Sequence, residues 1–304
     1  MNDAAPPALP TDASPRPVPA PQGLAPGVVA NWLDWAAAEL AAHSDSARAD
    51  AETLLAELLG SARAQLRLRH DEALEAATVL RFASWIERRR NGEPVAYIVG
   101  RQGFWTLDLV IDTAVLIPRP DTETLVEWAL SLLPAGTSGR VLDLGTGSGA
   151  IALAVASERP AASVLATDVS DAALDVAREN ARRHGIVSVH FRSGAWLAAL
   201  SPDDGPFDLM VSNPPYIAEG DAHLAALRYE PRLALTSGID GLDAIREIVR
   251  EAQAHLKAGG WLLLEHGHDQ GAAVRALLES AGFTAVETRK DFGSNDRVTG
   301  GRKP

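Results

Sequence analysis

The tetrapeptide Asn213, Pro214, Pro215 and Tyr216 directly follows an apolar run at residues 207–211, which predicts a buried strand. Two consecutive prolines fix the backbone and remove two donors, so the strand must end in a stiff corner. There an Asn offers one acceptor and two donors, and a Tyr offers a flat apolar face with a polar tip. An isolated Pro-Pro pair more often marks an ordinary loop. The whole tetrapeptide instead favours a site for a planar group carrying NH2, such as an amide or the exocyclic amine of a base.

A second motif follows the predicted strand at residues 141–144. It consists of Gly145, Thr146, Gly147, Ser148 and Gly149, and it opens a predicted helix. Glycines permit a tight turn and let a ligand approach the main chain, and open α/β sheets bind ligands at this end of their strands. Asp168 ends the next predicted strand, where a carboxylate could accept both hydroxyls of a ribose. The pattern predicts a site for a nucleoside-containing cofactor.

Two cofactor classes compete for this loop. A dinucleotide fingerprint has the pattern G-x-G-x-x-G, whereas this chain has G-x-G-x-G, preceded by Asp143 in the strand. An acidic residue there repels a pyrophosphate but suits the cationic methionine end of S-adenosylmethionine. The loop also lacks the lysine of an ATP-binding P-loop. The residues therefore favour S-adenosylmethionine.

The elements that must position both motifs alternate in type from about residue 140. Strands are predicted at residues 141–144, 163–167, 187–191, 207–211, 261–265, 284–288 and 296–299, and helices between most of them, such as 150–158, 172–184 and 242–255. This alternation is typical of a mostly parallel sheet covered by helices on both faces. The short connection between the last two strands favours antiparallel pairing.

Four segments are predicted along the chain. Residues 1–26 are rich in Pro and Ala and predict a disordered tail. Residues 27–92 show apolar spacing typical of a small helical bundle. Residues 93–117 predict a β-hairpin connector, with strands at 95–100 and 104–110 and a glycine-containing turn. Residues 118–304 form the predicted α/β domain.

Composition narrows the class of protein. The formal net charge is −12 and the pI is about 5.1, which argues against a general nucleic-acid binder. The chain has no cysteine, fitting a reducing compartment. It also has no apolar run long enough to span a membrane. His266 and His268 flank Gly267 without a third ligand at a useful spacing, so no metal site is expected. We expect a soluble cytoplasmic protein.

Taken together, the motifs resemble those of class I methyltransferases, and more narrowly those of the PrmC (HemK) family. The resemblance covers the chain from about residue 25 onward. Six segments carry it: residues 117–123 (Ile-Pro-Arg-Pro-Asp-Thr-Glu), 141–149, 211–217, 229–231 (Tyr-Glu-Pro), 264–267 (Leu-Glu-His-Gly) and 295–299 (Asn-Asp-Arg-Val-Thr). It implies a Rossmann-like, seven-stranded methyltransferase domain preceded by the helical bundle and the hairpin. It also implies methylation of the glutamine in the Gly-Gly-Gln motif of class I peptide chain release factors.

The resemblance also implies roles for individual residues. S-adenosylmethionine would be bound by Gly145, Thr146, Gly147, Ser148, Gly149, Asp168, Trp196 and Asn213. The substrate glutamine would be bound by Asn213, Pro214, Pro215 and Tyr216, of which Asn213, Pro214 and Tyr216 would act in catalysis. Arg119 and Asp143 are further candidates; for Arg119 the alternative is a plain helix start. The family often has an acidic residue just before the tryptophan, whereas this chain has Ala195.

Two other functions fit parts of the pattern. The Asn-Pro-Pro-Tyr corner is shared with adenine-N6 methyltransferases of DNA, but such an enzyme needs a basic groove and a target-recognition region, which the sequence lacks. A non-catalytic scaffold that binds S-adenosylmethionine or a translation factor would need no amide-orienting corner. We therefore expect an enzyme that acts on release factors, as a monomer, without direct binding to nucleic acid or membrane.

Overall fold

The computed structural model describes residues 27–304, and the predicted tail at residues 1–26 lies outside the described residues. The chain divides into two compact units between Val99 and Gly100. This division lies beyond the predicted end of the helical segment at residue 92. The difference arises because residues 95–99 are helical and belong to the first unit.

The first unit is helical in the part that the structure describes. Its elements are α1 (Val29–Leu40), α2 (Ala47–Leu58), a 3-10 segment (Arg63–Arg69), α3 (Ala76–Arg90) and α4 (Val95–Val99). Apolar residues recur every three or four positions and bury one face of each long helix. Leu54, Leu55 and Phe82 are fully buried at the centre. The predicted helical bundle is confirmed.

The predicted strand at residues 95–100 is wrong, because residues 95–99 form α4. The backbone nitrogens of Tyr97 and Ile98 both donate to the carbonyl of Pro94 at 3.1 Å. Proline favours the start of a helix because its fixed φ is already helical. Ala96, Tyr97 and Ile98 are all buried, a continuous run that a helix in a core accommodates as well as a strand does. Gly100, with φ of 80°, follows the helix end.

A hairpin does follow, but one with different strands. β1 (Arg101–Phe104) pairs antiparallel with β2 (Leu107–Val110). The turn is Trp105-Thr106, so the predicted glycine-containing turn is wrong, as is the single strand over residues 104–110. Trp105 has φ of 55° and is held by two hydrogen bonds of 2.9 Å, from its backbone nitrogen to Glu123 and from its indole nitrogen to Glu158.

The second unit also contains the predicted seven-stranded sheet, in the order β5-β4-β3-β6-β7-β9-β8. The strands are β3 (Arg140–Leu144), β4 (Ser163–Asp168), β5 (Val189–Ser193), β6 (Phe207–Ser212), β7 (Leu256–Glu265), β8 (Thr284–Lys290) and β9 (Asp296–Arg302). The first five run parallel, and β9 runs antiparallel to β7 and β8. The fold class and the antiparallel final pair are confirmed.

Five helices flank this sheet: α5 (Glu123–Leu132), α6 (Ala150–Glu158), α7 (Asp171–Arg183), α8 (Asp243–His255) and α9 (Gly271–Ser280). Successive side chains of a strand point to opposite faces. Leu209 and Val211 accordingly pack in the layer that contains α5 and α6. Met210, between them, packs in the layer that contains α8 and α9. Because both faces of the sheet are buried, the central strands are almost wholly apolar.

Candidate active site

The carboxyl ends of β3 and β6 lie side by side at the centre of the sheet. Leu144 pairs in register with Ser212, and the Ser212 hydroxyl donates to the Leu144 carbonyl at 2.7 Å. β4, the next strand along the chain, pairs with one edge of β3, and β6 pairs with the other edge. An open parallel sheet has a crevice at such a point. The glycine loop and the Asn-Pro-Pro-Tyr corner therefore begin beside each other.

The glycine loop has a backbone that glycine alone adopts without strain. Gly145, Gly147 and Gly149 have φ of 70°, 55° and 83°. A Cβ at Gly149 would lie 3.0 Å from the side chain of Leu153, whereas a Cβ at Gly147 would meet nothing within 4 Å. The loop thus packs closely against α6 at Gly149 and is open at Gly147.

Asp143 lies beneath this loop and is completely buried. Its Oδ2 accepts from the Thr146 hydroxyl at 2.7 Å and from the Ala152 backbone nitrogen at 3.2 Å. Its Oδ1 is buried without a hydrogen-bond partner among residues 27–304. Burial raises the pKa of Asp143 to about 7, against these two hydrogen bonds, and the nearby charge of Asp168 raises it too.

Asp168 ends β4 and ties two loops together. Its Oδ2 accepts from the Gly147 backbone nitrogen and its Oδ1 from the Ser170 backbone nitrogen, both at 2.9 Å. The Ser170 side chain in turn accepts from Ala173 and caps α7. These bonds fix the carboxylate beside the glycine loop while leaving further acceptor positions on both oxygens.

Trp196 stands against the glycine loop. Its backbone has φ of 44°, and its ring lies 3.1 Å from the position that a Cβ at Gly145 would occupy. Ala195 lies beside it and offers no side-chain acceptor. The indole is therefore positioned as an apolar wall next to the loop.

A single cavity of about 430 Å³ joins most of the predicted site residues. Those that line it are Gly145, Thr146, Gly147, Ser148, Asp168, Trp196, Asn213 and Pro215. The predicted residues Asp143, Gly149, Pro214, Tyr216 and Arg119 lie outside its lining. A cavity of this volume is of the usual size for a small-molecule cofactor.

The residues present fit S-adenosylmethionine. Gly147 leaves open space where a side chain would otherwise stand, and Asp168 presents a fixed carboxylate beside it. The unpartnered oxygen of Asp143 lies buried beneath the loop, where a bound cation would favour the ionised form of this carboxyl group. Such a set suits a ribose and a cation better than a pyrophosphate, which two carboxylates would repel.

The Asn-Pro-Pro-Tyr corner is held from two sides. The Asn213 side-chain nitrogen donates to the Thr122 hydroxyl at 3.2 Å. The Tyr216 hydroxyl donates to Oε1 of Glu265 at 3.4 Å, and its backbone carbonyl accepts from Gln270 at 3.0 Å. Burial and the charge of Glu265 raise the pKa of Tyr216, so its hydroxyl is a donor at neutral pH.

Glu265 and Thr122 were not predicted as site residues. Glu265 ends β7, is 1% exposed, and has an Oε2 without a hydrogen-bond partner in the described part of the chain. Burial raises its pKa to about 7, while the neighbouring Thr122 hydroxyl and the Arg297 charge lower it. A carboxylate directly after three buried leucines at a strand end was the signal that could have identified it.

Arg119 forms an ion pair with Glu230 and does not line the cavity. Its guanidinium lies 2.5 Å from Oε1 of Glu230, whose Oε2 accepts from the Ile117 backbone nitrogen at 3.2 Å. Since Glu230 is buried, the pair fastens the segment before α5 to the Tyr-Glu-Pro turn. It helps to position Thr122, three residues further on.

His266 is bonded within the fold. Its Nε2 lies 2.7 Å from the Thr299 hydroxyl and its Nδ1 lies 2.8 Å from the Gly267 carbonyl. Burial lowers its pKa, which favours the neutral ring. Over residues 27–304 no group of three or more potential ligands is arranged to hold a metal ion.

Two family models match the chain. The PrmC N-terminal domain matches residues 31–100, and the methyltransferase small domain matches residues 122–229. The release factor glutamine methyltransferase of Xylella fastidiosa (strain Temecula1) is 57% identical over 259 residues, which cover 84% of this chain and 94% of that protein. The chain belongs to the release factor glutamine methyltransferase family. The member from Pseudomonas aeruginosa is 52% identical over 261 residues, covering 85% of this chain and 94% of that protein.

One solved structure shares the fold of the methyltransferase domain of this chain. It is a 16S rRNA methyltransferase of T. thermophilus in complex with AdoMet and guanosine, 22% identical, with a TM-score of 0.51 over 67% of this chain and 50% of that chain. As a member of the release factor glutamine methyltransferase family with a methyltransferase domain, the protein is an S-adenosylmethionine-dependent methyltransferase. Between residues 27 and 304 no helix has the length and apolarity to cross a membrane.

Proposed function

We propose that the enzyme transfers a methyl group to the side-chain amide nitrogen (N5) of the glutamine in the Gly-Gly-Gln motif of class I peptide chain release factors. The observation that carries the proposal is the hydrogen bonding of the Asn213 side-chain amide at the cavity. Its side-chain nitrogen is engaged by Thr122, so its oxygen is the end that can accept from a planar NH2 group. The names of the relatives indicate which amide is meant.

A glutamine amide is a poor nucleophile because its nitrogen lone pair is delocalised into the carbonyl. We infer that the Asn213 oxygen and the Pro214 carbonyl each accept one amide N–H. Two acceptors would stabilise positive charge that develops on the nitrogen and turn its lone pair toward the cavity. Tyr216 would pack against the amide plane and fix its orientation. Positioning then supplies most of the acceleration. The methyl–sulfur bond would break as the new bond to nitrogen forms, and one amide proton would leave after the transfer.

We further infer how the chain holds the cofactor. S-adenosylmethionine supplies an electrophilic methyl group on a cationic sulfur. The glycine loop from Gly145 to Gly149 would hold it by the main chain, and Asp168 would accept from the ribose hydroxyls. Trp196 would stack on the adenine. The adenine amine would donate to backbone acceptors, since the Ala195 side chain provides no acceptor. Asp143 would balance the positive charge.

The two units suggest a division of labour. We propose that the helical unit, predicted at residues 27–92 and extending to Val99 in the structure, binds the release factor. The second unit begins at Gly100 with the hairpin, and its predicted methyltransferase domain at residues 118–304 would carry out the transfer. The enzyme would act as a monomer in the cytoplasm. Its net charge of −12 favours a protein partner over direct contact with nucleic acid.

A methyl-transfer assay tests the proposal. The purified protein and methyl-labelled S-adenosylmethionine are offered, in parallel, an unmodified release factor, the same factor with its Gly-Gly-Gln glutamine changed to alanine, and adenine-containing DNA. We expect label only on the intact factor. Label on DNA would make the protein an adenine methyltransferase, and equal label on both factors would overturn the assignment of the glutamine.

A further inference from the structure

Asn180 is a fully buried polar residue of α7, and its side chain forms three hydrogen bonds within the second unit. Its Oδ1 accepts from the backbone nitrogen of Val110 in β2 at 2.7 Å. Its Nδ2 donates to the carbonyls of Val110 and Ser148, both at 2.9 Å. An asparagine NH2 has two hydrogens, so each carbonyl receives one. A single amide group therefore joins the hairpin to the glycine loop.

The bond to Ser148 bears on where α6 begins. If the helix began one residue earlier, the Ser148 carbonyl would accept from the backbone nitrogen of Ala152, four residues further on. That nitrogen instead donates to Oδ2 of Asp143 at 3.2 Å, while the carbonyl accepts from Asn180. Asn180 and Asp143 thus engage the two groups that this helical bond would join, and the glycine loop remains outside the helix.

The same face of α7 meets the loop at two successive residues. Ala177 lies one helical turn before Asn180, and its Cβ is 3.3 Å from the position that a Cβ at Gly149 would occupy. Ser148 lines the cavity, whereas Asn180 and Val110 lie outside its lining. Asn180 therefore reaches a ligand in the cavity only through the backbone of the loop.

We propose that Asn180 is a positioning residue for cofactor binding, which holds the Ser148 peptide group in the open form of the glycine loop and ties that form to the docking of the hairpin on α7. The inference rests on the proposed binding of S-adenosylmethionine by this loop. Because one side chain serves both the loop and the hairpin, cofactor binding and hairpin docking stabilise each other.

Asn180→Asp tests the inference by calorimetric titration with S-adenosylmethionine at a temperature where the variant is folded. Aspartate keeps the shape and the acceptor for the Val110 N–H but has lost both donors. We expect Kd for the cofactor to rise about tenfold. The kcat with a release factor at saturating cofactor should stay close to that of the parent, because Asn180 contacts no reacting group. A purely structural role would lower the thermal stability and leave Kd of the folded protein unchanged.

His184→Ala is the matched control. The ring of His184, one turn after Asn180, lies with its Nε2 3.0 Å from the Asp108 carbonyl of the same hairpin. Its removal loosens the contact between α7 and the hairpin but keeps the bond from Asn180 to Ser148, so Kd should stay close to that of the parent. The inference is overturned if Asn180→Asp binds the cofactor as tightly as the parent, or if His184→Ala weakens binding equally.

Should Asn180→Asp fail to fold, amide hydrogen exchange of the parent protein decides. S-adenosylmethionine should slow exchange of the Val110 amide, which donates to Asn180, more than that of Ile111, which donates to the Gly100 carbonyl at 3.1 Å. Equal slowing of the two amides would overturn the inference. A parent protein that binds no S-adenosylmethionine would instead refute the proposed cofactor site.

Discussion

The side-chain nitrogen of Asn213 donates to the hydroxyl of Thr122 at 3.2 Å, across 91 residues of sequence. This hydrogen bond joins the end of β6 to the start of α5. It engages the donor end of the asparagine amide and leaves the acceptor end for a ligand in the cavity. A corner that the sequence marks by its prolines is thereby given a definite hydrogen-bonding direction.

Replacement of this asparagine should separate chemistry from cofactor binding. We expect Asn213→Ala to lower kcat about a hundredfold or more, because an acceptor for the developing positive charge is lost. The affinity for S-adenosylmethionine should change far less, since the glycine loop and Asp168 are intact. Single-turnover kinetics and calorimetric titration measure the two effects. Unchanged turnover would contradict the proposed role.

The glycine loop offers a contrast between two alanine substitutions. A Cβ at Gly147 meets no atom within 4 Å, so Gly147→Ala should cost only about 1–2 kcal/mol of backbone strain while obstructing the cofactor. A Cβ at Gly149 would press on Leu153 and Ala177, so Gly149→Ala should be clearly less stable. Thermal unfolding and cofactor titration of both variants check this. Equal loss of stability in the two would contradict the loop geometry.

Cofactor binding should depend on pH through Asp143. Its pKa is about 7 in the protein without cofactor, and a cation favours the ionised form. Binding below pH 7 must therefore release a proton, and affinity should rise by up to about tenfold per pH unit before levelling off above pH 7. Calorimetry across this range measures the slope. The Asp143→Asn variant should bind the cofactor more weakly, and its affinity should lack the pH dependence that Asp143 causes. An identical slope in that variant would show that Asp143 is not the group responsible for the pH dependence.

Stability without cofactor should fall as the pH rises. Asp143 and Glu265 have folded pKa values near 7, above their ordinary values, so between about pH 4 and 7 the folded state holds protons that the unfolded state has lost. For Asp143 the shift corresponds to up to about 4 kcal/mol. We expect the urea midpoint of Asp143→Asn to decline less with pH than that of the parent. Parallel pH curves would show that Asp143 does not titrate in this range.

The positions of the main site loops could be predicted from sequence because each loop directly follows a strand. Strand ends that carry Asp143, Asp168 and Asn213 are marked by apolar runs, and the alternation of strands and helices brings their carboxyl ends to one edge. The seven strands of the sheet agree in number with the seven-stranded domain that the resemblance implies.

The remaining features depend on contacts that no local pattern encodes. The bond between Asn213 and Thr122 and the burial of Glu265 arise only when β6, β7 and the start of α5 pack together. At α4 the local pattern was ambiguous, since a short apolar run is compatible with a strand or a buried helix. The helix is stabilised by the hydrogen bonds to the Pro94 carbonyl and by packing of Ile98 in the core of the helical unit.

Tandem mass spectrometry of a release factor after incubation with the enzyme and S-adenosylmethionine tests the central claim most directly. We predict one added methyl group, located by fragmentation on the side chain of the Gly-Gly-Gln glutamine, and a far smaller methylated fraction after incubation with the Asn213→Ala variant for the same time. A methyl group on any other residue, or an unmodified factor after incubation with the folded, cofactor-binding parent protein, would contradict the account.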